Sequence, residues 1–101
     1  MTQTAEALRG LMISTALSGT ALANTLGKSR GLISRWLSGS RQPSPSDLLK
    51  ITQEIEMSPD AREKLWRARF PTLARRLKED GLSQPERLRA YHWVALASID
   101  L

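Results

Sequence analysis

The chain contains no cysteine. That excludes disulfides, thiolate-bound zinc, iron–sulfur clusters and a cysteine nucleophile. It contains one histidine, His92, so a histidine-rich metal site is excluded too. Aromatic residues make up only 5% of the chain, and three of them are Trp. No apolar run approaches the ~18 residues of a membrane helix. The N-terminus lacks the charged-then-apolar pattern of a secretion signal. Strand-like alternation is weak throughout, and there are no repeats or low-complexity segments. A soluble, cytoplasmic, all-helical protein is expected, with no cofactor and no metal.

Acid is also missing locally. Between Glu6 and Asp47 there is no Asp or Glu, while the same stretch holds Arg9, Lys28, Arg30, Arg35 and Arg41. The net charge is +5 and the isoelectric point is near 10.5. A solvated helix face usually mixes signs, whereas a patch of one positive sign is what contact with phosphate requires. At 101 residues and 41% hydrophobic, the chain suits one compact domain with a real core.

Apolar spacing and start signals divide the chain into helices. Ala7, Leu8, Leu11, Met12 and Ala16 mark a first helix over 4–17. Ser18 can cap a second over 19–26, with Leu22, Ala23 and Leu26 inward, and Gly27 can stop it. Ser29 can cap a third over about 30–38, with Ile33, Trp36 and Leu37 inward and Gly39 at its end. That spacing makes Trp36 a core residue rather than a stacking surface. Ser44-Pro45-Ser46-Asp47 and Ser58-Pro59-Asp60 are strong start signals for a fourth helix and a fifth, 59–69. Pro71 splits or kinks the following apolar stripe of Leu65, Trp66, Phe70, Leu73 and Leu77. Ser83-Gln84-Pro85-Glu86 opens a last helix, 84–98.

Catalysis has little support. Glu54 and Glu56 lie two apart on a helix and face different ways. No serine has a nucleophile-elbow context, and His92 between Tyr91 and Trp93 reads as structural or interfacial. No enzymatic activity is expected. Arg75, Arg76 and Lys78 read as a solvated face, diluted by Glu79 and Asp80.

Residues 19–38 instead meet three demands of a helix that lies in the major groove: an apolar inner side, a polar outer side and a short preceding turn. The outer positions are Ser29, Arg30, Gly31, Ser34, Arg35 and Ser38. Arg30 and Arg35, five residues apart, can address neighbouring base pairs or stand as solvated charges. Arginine suits bidentate reading of guanine. Gly31 and Ser34 keep this surface low enough for close approach.

The residues Leu22-Ala23, Leu26-Gly27, Ser29, Ile33, Ser34-Arg35-Trp36-Leu37, Gly39 and Arg41 to Pro43 resemble the lambda-repressor-like (Cro/C1, XRE-type) helix-turn-helix family, over residues 5–57. The resemblance implies a five-helix DNA-binding domain with one or two helices added after it. It implies base contacts from Ser29, Arg30, Gly31, Ser34 and Arg35. It implies phosphate contacts from Gly19 and Thr20 at the start of the supporting helix, and from Ser40 and Arg41 in the loop after the reading helix. Lys28 and Ser38 join these as phosphate candidates. Gly19 stands where the family often has Gln, so only a backbone contact is expected there. Leu32 stands where the family is small or polar, and either meets a thymine methyl or packs on helix two.

The division expected is 1–57 for DNA binding and 58–101 for a helical extension, within one compact domain. The end segment, 91–101, is apolar on nearly every side and must be covered. A second copy is the simplest cover. The expected interface is Leu88, Tyr91, His92, Val94, Leu96 and Ile99, with Trp66 and Phe70 as further candidates; otherwise the segment only completes the monomer core. The function expected is a sequence-specific regulator of double-stranded DNA, a repressor binding a palindromic operator as a homodimer. The alternative is an antitoxin that neutralises a protein partner through its C-terminal half and regulates its own operon. RNA binding is disfavoured, because no aromatics are expected exposed on a sheet or loop.

Overall fold

The computed structural model describes residues 3–99, with the side chain of Ile99 outside the description. Among these residues there are seven α-helices and no strand: α1 (Gln3–Ser14), α2 (Gly19–Leu26), α3 (Arg30–Ser38), α4 (Pro45–Glu54), α5 (Pro59–Arg69), α6 (Pro71–Glu79) and α7 (Gln84–Ile99). The fold is all-α, a helix-turn-helix unit followed by further helices.

Serines set the helix starts. Ser18, Ser29, Ser44 and Ser58 each have extended backbone, and each hydroxyl oxygen accepts the amide hydrogen three residues on, at 3.1 Å. Such a cap satisfies a donor that the first turn leaves orphaned and contributes about 1 kcal/mol. Pro45, Pro59 and Pro71 occupy first helical positions, where the missing amide hydrogen costs nothing. Pro71 therefore separates α5 from α6.

The first helix is shorter than its apolar pattern. It ends at Ser14, not near Leu17. The hydroxyls of Ser14 and Thr15 turn back onto the Leu11 carbonyl at 3.0 and 2.7 Å, and Ala16 takes a left-handed conformation with φ 53°. Leu17 N–H then reaches back to the Met12 carbonyl at 2.9 Å. This is a left-handed stop of the kind glycine usually makes, so the sequence carries no visible marker for it.

One core runs through the molecule, from Ala7 and Leu8 of α1 to Tyr91 and Ala95 of α7. α1 packs on α5 and α3, α2 on α3 and α4, and α7 crosses α4 and α5. Ile33 and Trp36, each 1% exposed, fix the inner side of α3. Each buried side chain of this size contributes about 1.5–3 kcal/mol. Trp66 stacks between Phe70 (6.1 Å, 20°) and Tyr91 (5.8 Å, 2°).

That stacking corrects one expectation. Tyr91 is 1% exposed and belongs to the monomer core, so it cannot form an interface with a second copy. A polar staple fastens the same helices together. Glu63 of α5 accepts hydrogen bonds from Arg87 (Nη2, 3.0 Å) and Gln84 (3.1 Å) of α7. The Arg87 guanidinium holds the Glu63 carboxyl below its ordinary value, against the opposing effect of burial.

Candidate nucleic-acid interface

The turn between α2 and α3 is three residues long. Gly27 adopts φ 65°, and Lys28 N–H returns to the Ala23 carbonyl at 2.9 Å. Ser29 then caps α3, so the two helices are joined without slack. At the other end Gly39 closes α3 at φ 82°.

The five cations of the acid-free stretch divide into two groups. Two serve the fold. The Arg9 guanidinium donates to the Leu37 carbonyl, bracing the end of α3 from α1. Lys28 Nζ lies 3.1 Å from Asp47 Oδ1. The charge of Lys28 is thus partly offset, and a phosphate there would compete with Asp47. The other three, Arg30, Arg35 and Arg41, are exposed. Among the described residues their side chains have neither ion pair nor hydrogen bond.

Ser29, Arg30, Gly31, Ser34 and Arg35 are all exposed, opposite the buried Ile33 and Trp36. A Cβ added to Gly31 would meet nothing nearer than Ser29 Oγ at 4.0 Å. One added to Gly19 would meet nothing nearer than Ile33 Cγ2, also at 4.0 Å. No steric need inside the protein holds glycine at either place. Leu32 is half-buried and packs on the core.

Ser38, Ser40 and Arg41 surround the end of α3. Ser38 Oγ donates to the Arg35 carbonyl at 3.1 Å, and Arg41 N–H reaches the same carbonyl at 3.3 Å. These contacts set the loop close under the last turn of α3. The loop is anchored further on, where Pro43 is buried and its carbonyl accepts Arg69 Nε from α5 at 2.9 Å. At the start of α2, Ser18 takes the amide hydrogen of Ala21. Those of Gly19 and Thr20 have no acceptor among the described residues. Free amide hydrogens at a helix start suit an anion.

Sequence reasoning missed three structural cations. Arg9, Arg69 and Lys50 (Nζ to the Leu26 carbonyl, 2.9 Å) each neutralise a carbonyl at the end of a helix or loop 24 to 28 residues away in sequence. It also missed Trp93, which is 69% exposed on α7. Leu88, His92, Val94 and Leu96 are half-buried on the same helix, and Ile99's side chain lies outside the described residues. Arg75, Arg76 and Lys78 are exposed on α6, which packs on α5 and α7 only.

Two short helices locked at a three-residue turn, the second showing unpaired guanidinium groups outward, define a helix-turn-helix protein. A family profile described as "Helix-turn-helix domain" matches residues 3–65, more than half of the 101-residue chain, and the protein belongs to that family. It is of the Cro/C1-like kind. No curated protein and no solved structure matches the chain. No helix among the described residues is long and apolar enough to cross a membrane.

Proposed function

We propose that the protein is a sequence-specific, double-stranded DNA-binding transcriptional regulator. In this reading it acts in the cytoplasm, on the nucleoid, as a repressor that occludes a palindromic operator as a homodimer. It carries out no chemical step. The observation that supports the DNA reading most is the set of three exposed, unpaired guanidiniums on α3 and its loop, within a stretch free of acid. Arg30 and Arg35 read base edges, each worth about 1–3 kcal/mol of discrimination. Ser29, Gly31 and Ser34 form the low surface between them, and a bare Gly31 lets the duplex come close. Gly19, Thr20, Ser38, Ser40 and Arg41 hold phosphates. Lys28, paired with Asp47, joins them only where a phosphate displaces that carboxylate.

The dimer forms through the outward side of α7. Trp93, 69% exposed, takes the central place that Tyr91 cannot fill, and Leu88, His92, Val94 and Leu96 lie at its margins. Burying two such indoles across a two-fold axis gives the aromatic centre typical of a stable interface. Two half-sites then lie one DNA turn apart, about 34–36 Å. The same exposed indole also fits the second reading, an antitoxin whose C-terminal half covers a toxin. A protein that sediments as a dimer when purified alone supports the first reading over the second.

The test uses an operator selected from random duplex and read by fluorescence anisotropy. Arg30→Ala and Arg35→Ala each lose about 1–3 kcal/mol on that operator and little on random DNA. Arg41→Ala weakens both duplexes alike and lowers the slope of log affinity against log salt by about 0.9. If all three variants behave identically, the division into readers and anchors is wrong.

A further inference from the structure

A groove of about 400 Å³ lies between the end of α4, α5 and α7. None of its lining residues belongs to α3. Its volume is that of a small-molecule site. Leu88 and Trp66 supply its apolar lining. Arg62 of α5, Arg89 and His92 of α7, and Gln53 of α4 make its rim. No carboxylate lines it. Of the neighbouring acids, Glu63 is committed to Arg87 and Gln84, and Glu86 is held by Ser83 and lies close enough to Arg89 for their charges to interact without an ion-pair contact.

Two features set this groove apart from an ordinary surface dip. Arg62 and Arg89 face one cleft, and neither has an ion pair among the described residues. Arg62 Nε is buried and has no hydrogen-bond acceptor. Buried N–H groups without a partner are rare and costly, and two like charges beside a low-dielectric wall repel. The repulsion is relieved by one negative group placed between the guanidiniums, and the sealed Nε fixes the Arg62 fork in place beside it. The apolar lining favours a ligand whose remaining body is hydrocarbon.

We infer that the groove binds a small organic carboxylate with an aromatic or aliphatic body. The carboxylate sits between Arg62 and Arg89, whose planar forks match its two oxygens. The body lies against Leu88 and Trp66, with Gln53 and His92 completing the polar lining. Such a ligand joins α5 to α7 and so holds the helix that carries Trp93 in its seat. The inference is independent of the DNA contacts of α3, and it shares Leu88 and His92 with the margin of the proposed dimer face.

Amide and methyl NMR of the full chain tests it, with benzoate and indole-3-acetate as probes and benzamide and inorganic sulfate as controls. At about 10 mM, where a millimolar site is filled, both carboxylates should shift Arg62 Nε–H, the Trp66 indole and the Leu88 methyls along saturable curves. Benzamide and sulfate should shift them weakly or not at all. Arg89→Gln, at an exposed position that leaves folding intact, should weaken the apparent Kd about tenfold. Arg62→Gln should do the same, and Arg41→Gln should change nothing. Absence of saturation with both carboxylates, equal shifts with benzamide, equal shifts with sulfate, or an unaltered Kd in Arg89→Gln overturns the inference.

Discussion

Ala16 and Gly27 both have positive φ, 53° and 65°, just past the ends of α1 and α2. One position has the unsuited residue and the other the suited one, which makes exchange at each a test of conformational strain. A left-handed residue with a Cβ costs about 1–2 kcal/mol. Glycine in turn frees the unfolded chain, which costs about 0.4–1 kcal/mol on folding. For Ala16→Gly the strain is relieved and the entropy cost added, for a net gain of about 0.5–1 kcal/mol. For Gly27→Ala the signs reverse. A Cβ there would meet nothing within 4 Å, so no clash adds to the loss of about 0.5–1 kcal/mol. In a domain of this size about 1 kcal/mol moves Tm by roughly 4–8 °C. Thermal unfolding followed by circular dichroism should therefore raise Tm by a few degrees for Ala16→Gly and lower it comparably for Gly27→Ala. The second variant should also lose DNA affinity, because Gly27 sets the angle between α2 and α3. A fall in Tm for Ala16→Gly, or no change for Gly27→Ala, refutes the strain argument.

Three further expectations follow from the packing. Lys28→Gln removes a partly exposed ion pair worth about 0–1 kcal/mol and should leave the salt slope of DNA binding unchanged; a slope reduced by about 0.9 would return Lys28 to the phosphate contacts. Glu63→Gln weakens the staple between α5 and α7 and should cost about 1.5–3 kcal/mol near neutral pH. Because Arg87 holds the Glu63 carboxyl below its ordinary value, the wild-type advantage is present above the unfolded pKa of about 4.3 and is lost as pH falls through the lower folded value. Urea titrations at neutral and strongly acidic pH should show the two proteins converging in acid, and a constant gap would contradict the assignment. Trp93→Ala should barely change monomer stability, since the indole is 69% exposed, but should convert dimer to monomer in sedimentation velocity.

Much of the fold was legible because its punctuation is local. Ser18, Ser29, Ser44 and Ser58 act on amide hydrogens three residues away, and the prolines after Ser44 and Ser58 act on their own φ. α2, α3 and α5 therefore fall where their signals place them. The stop after Ser14 was not legible, because an alanine does there what a glycine announces elsewhere. The outward set on α3 was legible from the spacing of Ile33 and Trp36. Which of its cations remain unpaired was not. Arg9, Lys28, Lys50 and Arg69 find partners across 19 to 28 residues of sequence, and helical periodicity says nothing about such distances. The end segment shows the same limit. A helix apolar on every side offers several candidates for its inner face, and only the stacking on Trp66 decides that Tyr91 goes in while Trp93 stays out.

That stacking also gives the protein an internal optical gauge. The three indoles sit in three surroundings: Trp36 sealed beneath α3, Trp66 sandwiched between two rings, and Trp93 in water. Near-parallel rings 5.8 Å apart make the near-ultraviolet dichroism of Trp66 and Tyr91 depend on how α7 rests on α5. A shift of that helix by a fraction of a ring width changes the signal, while the Trp93 emission colour reports separately whether its surface is wet or covered.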